Sequence, residues 1–125
     1  MKSISTPSAP TPAGHYSQAI EHNGLIFISG QLSVDPATGE IRNGSIEDQT
    51  RLVLENLSGI LKAAGSDMNH VLKVTIYVSD IDLWGAVNHV YAKTFGEHRP
   101  ARAVVPSRDL HHGCLIEMEA IATVI

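Results

Sequence analysis

Hydrophobic residues recur along this chain with two different periods, and the change from one period to the other predicts its secondary structure. Residues 16–21 and 25–29 carry strand-forming side chains around the turn-prone His22-Asn23-Gly24, which predicts a hairpin. Residues 71–78 and 115–123 alternate apolar and polar positions with a period of two, and a shorter run covers residues 101–105. The pattern therefore predicts five strands.

Two segments show the wider spacing of a helix with one apolar face. In the first, Ser45 followed by Asp48 resembles a capping box, and Gly65 is suited to the position just after the helix end. The apolar positions between them are Val53, Leu54, Leu57, Ile60, Leu61 and Ala64. A second helix is predicted from about Leu83 to Phe95, with Asp82 as its cap, Gly96 as its stop, and Leu83, Val87, Val90, Tyr91 and Thr94 facing inward.

The order β-β-α-β-α-β-β predicts an α+β fold, a two-layer sandwich with both helices on one face of the sheet. We expect a single domain over residues 14–125, preceded by a flexible arm over residues 1–13 that holds three prolines. Strand parity assigns Arg102 and Val104 to the uncovered face together with Tyr77, Glu117 and Ile121. Such a mixture of apolar and charged side chains is typical of a subunit interface, so a homo-oligomer is predicted.

Composition removes several classes of function. The chain has 125 residues, a net charge of −4 and no run of Lys or Arg, which argues against nucleic-acid binding. It has no apolar run long enough to cross a bilayer and no secretory signal, so we expect no membrane contact. The single cysteine, Cys114, cannot form an internal disulfide, which favours a reducing, cytoplasmic location.

Arg102 and Glu117 are the residues most suited to chemistry. Arg102 lies in an apolar run and needs an anionic partner, which is either a structural carboxylate such as Glu119 or the carboxylate of a ligand. Spacing alone favours the structural partner. Glu117 lies between Leu115 and Ile121, where an apolar setting raises a carboxyl pKa toward the range useful for proton transfer. Without further information, a solvent-facing or ion-paired glutamate is the favoured interpretation.

Other candidate residues give weaker signals. His111 and His112 are adjacent and point to opposite sides of an extended chain, so no metal site is expected there. Cys114 has apolar neighbours and is predicted to be a small buried residue rather than a nucleophile. Arg108, in the loop before the last strand, is a rival carboxylate-binding residue.

Several motifs together resemble the Rid (reactive intermediate deaminase, YjgF-type) family, whose members are also labelled RutC-like or L-PSP endoribonuclease-like. The resemblance runs from about Gly14 to the C-terminus. Its motifs are Gly14-His15-Tyr16-Ser17-Gln18-Ala19, Ile28-Ser29-Gly30-Gln31, Asn88 with Tyr91, Pro100-Ala101-Arg102, and Ile116-Glu117-Met118-Glu119-Ala120-Ile121-Ala122. It implies a chorismate-mutase-like fold with a mixed sheet, and a homotrimer with sites in the clefts between subunits.

The resemblance also implies roles for individual residues. Arg102 would bind the substrate carboxylate and Glu117 would orient or activate a water, while Tyr16, Ser29, Gly30 and Asn88 would line the pocket. The implied reaction is hydrolysis of 2-aminoacrylate-type enamines or 2-imino acids to 2-keto acids and ammonia, with no cofactor and no metal. The partners implied are a small carboxylate-bearing substrate and further copies of the chain.

The sequence departs from the family pattern at three positions near these residues. His15 stands where the family often has Pro, Val104 where many members have Cys, and Arg99 where an aromatic residue usually precedes the Pro-Ala-Arg motif. Three alternatives stay open at this stage. They are a non-catalytic trimer that binds small carboxylates or acts as a holdase, an endoribonuclease, and a deaminase dedicated to a larger enamine.

Overall fold

One mixed sheet and two helices make up the fold. A computed structural model describes all 125 residues, and its strands are β1 (Lys2–Ile4), β2 (Ala19–His22), β3 (Leu25–Gln31), β4 (Val71–Val78), β5 (Ala101–Pro106) and β6 (Ile116–Thr123). The helices are α1 (Ile46–Ala63) and α2 (Trp84–Phe95). The strand order is β1-β2-β3-β6-β4-β5, and every neighbouring pair is antiparallel except β4 and β5, which are parallel. The predicted α+β class with a mixed sheet is confirmed.

Both helices cover the same face of the sheet, and the core lies between the two layers. The strand residues that face the helices include Ile26, Val74, Ile76, Ile116 and Met118, all of them fully buried. They meet the apolar faces of α1 and α2 in one continuous cluster, and burying this area is the main source of the domain's stability. Neither helix is both long and apolar enough to cross a membrane.

The ends of α1 follow the sequence signals. The Ser45 hydroxyl accepts a hydrogen bond from the Asp48 backbone N–H at 3.2 Å, which satisfies one of the unpaired N–H groups at the helix start. Gly65 follows the last turn with φ +77°, a left-handed conformation that glycine adopts without steric cost. Both predicted boundaries of α1 are confirmed.

The start of α2 differs from the prediction. The Asp80 side chain, not that of Asp82, accepts a backbone hydrogen bond, and it does so from Asp82 at 2.8 Å within a short 3₁₀ turn that precedes the helix. At the other end Phe95 is buried while Thr94, predicted to face inward, is exposed. The 3₁₀ turn rotates the entry into α2, which the sequence pattern alone does not indicate.

The N-terminal residues also differ from the prediction, since the segment expected to be a flexible arm is attached to the domain. Ser3 pairs with Ile20 and Ile4 with Ala19, so β1 extends the sheet edge. The buried Gln18 side chain then fixes the following residues, because its Nε2 donates to the carbonyl oxygens of Thr6, Ala9 and Pro10 and its Oε1 accepts from Thr6 N–H. Short polar and proline-rich stretches look unstructured in a sequence, but here one buried amide holds the chain in place.

Arg102 lies on the side of the sheet that faces the helices, whereas the sequence placed it on the uncovered face. The parallel register pairs Arg102 with the fully buried Val74 and Val104 with Ile76, so both β5 residues point toward α2. Glu117 pairs with Tyr77 and points to the uncovered face. Parity correctly placed Arg102 and Val104 on one face of β5, but it does not specify how this edge strand is registered on β4.

Candidate functional site

The predicted site residues fall into two separate cavities on one chain. The first, here called the Arg102 cavity, has a volume of about 500 Å³ and is lined by Asn88, Tyr91, Ala92, Phe95, Gly96, His98, Arg99, Pro100 and Arg102. The second, the Glu117 cavity, has a volume of about 450 Å³ and is lined by Ala13, Gly14, Tyr16, Ser29, Gly30, Leu32, His111, His112 and Glu117. The structure therefore brings Arg102 and Asn88 together, and separately Tyr16, Ser29, Gly30 and Glu117.

Helix α2 holds the Arg102 side chain in place through two residues on one helical face. Arg102 Nη1 donates a hydrogen bond to Asn88 Oδ1 at 2.7 Å, and the guanidinium carbon lies 4.9 Å from the centre of the Tyr91 ring. Asn88 and Tyr91 are three residues apart, so they project from the same side of α2. Neither the Tyr91 ring nor the neutral amide of Asn88 carries a formal negative charge, so the positive charge of Arg102 is uncompensated.

The structural partner considered for Arg102 is not used within the chain. Glu119 lies on the uncovered face, where its Oε1 accepts a hydrogen bond from the Tyr77 hydroxyl at 2.7 Å. This contact raises the pKa of Tyr77, because the adjacent carboxylate disfavours a phenolate. The guanidinium of Arg102 is thus left with unused donors that point into its cavity.

The Tyr91 hydroxyl is buried and has no hydrogen-bond partner within the chain. Burial raises the pKa of Tyr91 to about 12, against a smaller opposing effect of the Arg102 charge. The hydroxyl therefore stays protonated. Sequence reasoning had assigned Tyr91 to the core, and it missed that the same ring supports Arg102.

The Glu117 cavity is built around an irregularity in β3. The pairing between β3 and β6 shifts between Ile28 and Gln31, which places a bulge at Ser29 and Gly30. The Glu117 side chain packs against this bulge, and a Cβ atom added at Gly30 would lie 2.8 Å from Glu117 Oε2. Gly30 therefore leaves the space that the Glu117 carboxyl occupies.

Glu117 has the electrostatic setting of a group suited to accept a proton. Burial raises the pKa of its carboxyl above the ordinary value of 4.5; the positive charge of His111 opposes this shift and the negative charge of Glu119 adds to it. Burial likewise raises the pKa of Cys114, which is buried and free. Both pKa shifts arise from burial and from charged groups within this chain.

Ser29 and Tyr16 line the same cavity as Glu117, and the hydroxyl of each already makes a hydrogen bond within the chain. The Ser29 hydroxyl donates to the Ser17 carbonyl oxygen at 2.6 Å, so a ligand would meet its lone pairs rather than its proton. Tyr16 is 51% exposed and its hydroxyl accepts a hydrogen bond from Ala13 N–H at 3.3 Å. Tyr16 is therefore not part of the hydrophobic core of this chain.

His111 and His112 line the Glu117 cavity, which sequence reasoning missed because it weighed them only as metal ligands. Their ring centroids are 6.1 Å apart, and His112 has a left-handed backbone with φ 62°. A non-glycine residue held in this conformation is strained, and such strain is concentrated at functional sites. The sequence signal that could have revealed them is their position just before the strand that carries Glu117.

Comparison with known proteins gives a consistent relationship over nearly the whole chain. The family model described as Endoribonuclease L-PSP matches residues 6–124. A RutC family protein of Pyrococcus horikoshii is 52% identical over 119 residues, covering 95% of this chain and 94% of that protein. The 2-iminobutanoate/2-iminopropanoate deaminase of Mus musculus is 42% identical over 121 residues, covering 97% and 90%.

Comparison with solved structures extends the relationship to the fold. The crystal structure of TdcF from Escherichia coli with bound serine superposes with a TM-score of 0.94 at 37% identity, and the match covers all of both chains. The order of motifs, the family model and the superposition agree with the resemblance noted in the sequence. The chain belongs to the Endoribonuclease L-PSP family, which is the Rid family that its motifs resemble.

Proposed function

We propose that this chain is an imine deaminase that hydrolyses 2-imino acids, and enamines of the 2-aminoacrylate type, to 2-keto acids and ammonia. The observation that carries the proposal is the positioned but uncompensated guanidinium of Arg102, which is suited to bind a substrate carboxylate. The named activity of relatives such as the mouse 2-iminobutanoate/2-iminopropanoate deaminase supports it. Bound serine in TdcF, an amino acid with its own carboxylate, agrees with a small substrate of this class.

The enzyme needs to orient the imine and the attacking water more than to activate the imine, because the carbon of a C=N bond is already electrophilic. Arg102 binds the carboxylate, and the Glu117 carboxylate accepts a proton from water as its oxygen bonds to the imine carbon. Glu117 passes this proton to the imine nitrogen, and the resulting carbinolamine carries an OH and an NH₂ group on one carbon. Glu117 then accepts the hydroxyl proton and passes it to nitrogen as the C–N bond breaks, so that ammonia leaves, a ketone forms and the Glu117 carboxylate is regenerated. No electrons are gained or lost by the substrate.

The site is completed by a neighbouring subunit in a homotrimer. Within one chain Arg102 faces the helices and Glu117 faces the opposite side of the sheet, so one protomer does not present both to one substrate. The uncovered face also exposes apolar side chains, with Phe27 45% exposed and Leu25 37% exposed. A second copy packed on this face would bury them and bring its Arg102 cavity to the Glu117 cavity. The number three rests on the family resemblance.

The remaining site residues have supporting roles in this proposal. Asn88 orients Arg102 through their hydrogen bond. Tyr16 forms one wall of the Glu117 cavity, and Ser29 offers lone pairs to a proton on the substrate or the water. Gly30 provides the space that the Glu117 carboxyl occupies. The Cys114 thiol is buried and has no role in the reaction.

We further propose that the substrate is a small molecule and not RNA, although the family model carries an endoribonuclease description. The net charge is −4, and the two arginines of the Arg102 cavity are confined to one pocket, whereas the Glu117 cavity contains a carboxyl group, so the two cavities do not form a continuous basic groove. A cytoplasmic location is part of the proposal and is supported by the single free cysteine.

The direct test is an assay in which an amino-acid oxidase generates 2-iminopropanoate in the presence of the protein. We expect the wild type to accelerate formation of the keto acid and to suppress trapping of the imine by semicarbazide. Arg102→Ala should lose nearly all of this activity while the oligomer persists on size-exclusion chromatography. Arg51→Ala is the matched control, since Arg51 pairs only with the exposed Asp48. Full activity in Arg102→Ala contradicts the proposal.

A further inference from the structure

The Arg102 cavity contains a second arginine. Arg99 lines it together with Arg102, and the two residues are separated only by Pro100 and Ala101. An extended chain spans at most about 10 Å over three residues, so the two side chains can reach a single small molecule. The ring of Pro100 fixes its own φ, which limits how far this spacing can vary.

Neither arginine has an anionic partner within the chain. The four ion pairs of the structure involve only Arg42, Arg51 and His70 as cations. None of the nine residues that line the Arg102 cavity is acidic. Two like charges on one cavity repel each other, and this repulsion is relieved when anions bind there.

The other polar groups of the cavity do not supply the missing negative charge. The amide oxygen of Asn88 is already used by Arg102. The His98 ring also lines the cavity, and its Nε2 is 2.7 Å from the Val71 carbonyl oxygen, so this nitrogen carries the proton and donates. A substrate with one carboxylate compensates one guanidinium and leaves the other uncompensated.

We propose that the site favours 2-imino acids whose side chain ends in a second carboxylate, which Arg99 binds while Arg102 binds the carboxylate next to the imine carbon. This inference rests on the proposed deaminase function and names the substrate class of that site. The substrates are the imines of acidic amino acids, such as 2-iminosuccinate and 2-iminoglutarate. Water adds to the C=N carbon and ammonia leaves, which yields the 2-oxo dicarboxylate without any redox step.

The volume of the cavity is compatible with such a molecule. About 500 Å³ exceeds what a four- or five-carbon diacid requires, and it falls in the usual range for small-ligand sites. The planar guanidinium of Arg99 can bind a carboxylate with two parallel hydrogen bonds, as that of Arg102 can. An apolar side chain at position 99 would instead favour 2-imino acids whose own side chain is uncharged.

The test compares kcat/KM for 2-iminoglutarate and for 2-iminopropanoate, each generated in situ by an oxidase, in wild type, Arg99→Gln and Arg51→Gln. The wild type should prefer the diacid. Arg99→Gln should lower kcat/KM for the diacid about tenfold, mainly through KM, because one charge-assisted carboxylate contact is lost. The same variant should lower kcat/KM for 2-iminopropanoate much less, because that substrate has no second carboxylate. Arg51→Gln removes the same charge elsewhere and should change neither substrate.

Binding of the products gives a second readout that does not depend on turnover. By calorimetry at fixed ionic strength, wild type should bind 2-oxoglutarate more tightly than pyruvate, and Arg99→Gln should lose this difference.

The inference is overturned if Arg99→Gln leaves both substrates unchanged or lowers both equally, or if wild type hydrolyses 2-iminopropanoate but does not prefer the diacid. Failure of wild type on every imine overturns the proposed function itself, so the two failures are distinguishable.

Discussion

The Glu117 carboxyl lies directly against the backbone of Gly30, so that a Cβ atom at residue 30 would be 2.8 Å from Oε2 and 3.0 Å from the carboxyl carbon. These distances are shorter than van der Waals contact. The bulge in β3 brings the backbone to this position, and the missing side chain leaves room for the carboxyl. The position of Glu117 thus depends on a residue that contributes no side chain.

Replacing Gly30 with Ala is expected to move the Glu117 carboxyl and lower activity. Because the contact is with the end of a flexible side chain, the fold should be retained while kcat/KM on 2-iminopropanoate falls at least about tenfold, as a displaced reacting group loses its orientation. Gly85→Ala makes the same chemical change on α2, where nothing lies within 4 Å, and should leave activity intact. Equal rates for Gly30→Ala and wild type would show that the Glu117 position is unimportant.

The acid side of the pH profile should report Glu117. As a proton acceptor Glu117 must be ionised. Because its pKa is raised, the loss of activity on acidification should begin at a higher pH than it would with an ordinary glutamate. Glu117 contributes to the raised pKa values of the neighbouring Cys114 and Tyr77, and its own pKa is shifted by burial and by the charges of His111 and Glu119. Of these only His111 favours the carboxylate, and it does so when protonated.

Removing the His111 charge is therefore expected to raise the pKa of Glu117 further. In His111→Gln the acid limb of kcat/KM should move to higher pH, measured across a series of buffers at constant ionic strength. His89→Gln is the control, since His89 is exposed on α2 and lines neither cavity. An acid limb that stays in place or moves to lower pH in His111→Gln contradicts the assigned effect.

Tyr91 is expected to support Arg102 through its ring and not through its hydroxyl. Tyr91→Phe keeps the ring under the guanidinium and removes a buried hydroxyl without a partner, so the free energy of unfolding should rise by about 1 kcal/mol and KM should be unchanged. Tyr91→Leu removes the ring and should raise KM. If Tyr91→Phe is less stable than wild type at equal protein concentration, the hydroxyl is paired across a subunit interface.

Gln18 is expected to hold the N-terminal segment on the domain. Gln18→Ala removes four hydrogen bonds made by one buried side chain and should lower the free energy of unfolding by about 2 kcal/mol. Amide hydrogen exchange should speed up over residues 2–10. Ser3→Ala, which removes only an exposed contact with Ser17, is the control and should leave exchange unchanged. Unaltered exchange in Gln18→Ala would mean that β1 pairing alone attaches the segment.

The elements with local signals could be predicted from the sequence. The limits of α1 follow from Ser45 and Gly65, because capping and a left-handed stop depend on neighbouring residues only. The strand Val71–Val78 follows from its alternation, although Leu72 proved to be 47% exposed because the pairing with β6 shifts between Val71 and Lys73.

The features that could not be predicted depend on contacts distant in sequence. The attachment of residues 1–13 depends on Gln18, and the side of the sheet that Arg102 faces depends on the register between two parallel strands. The family motifs point to Arg102 and Glu117 as candidate site residues, but they do not indicate that one chain holds them in two separate cavities. The presence of Arg99 and His111 beside them follows only from the packing of the loops.

The most direct test of the composite site mixes two variants that are inactive alone. Arg102→Ala and Glu117→Gln, co-expressed with different tags and purified by both tags as mixed trimers, should recover about a third of wild-type activity, because every mixed ring of three places an intact Arg102 beside an intact Glu117 at one of its three sites. Each variant alone should stay inactive. A mixed trimer as inactive as its parents would contradict a site shared between subunits.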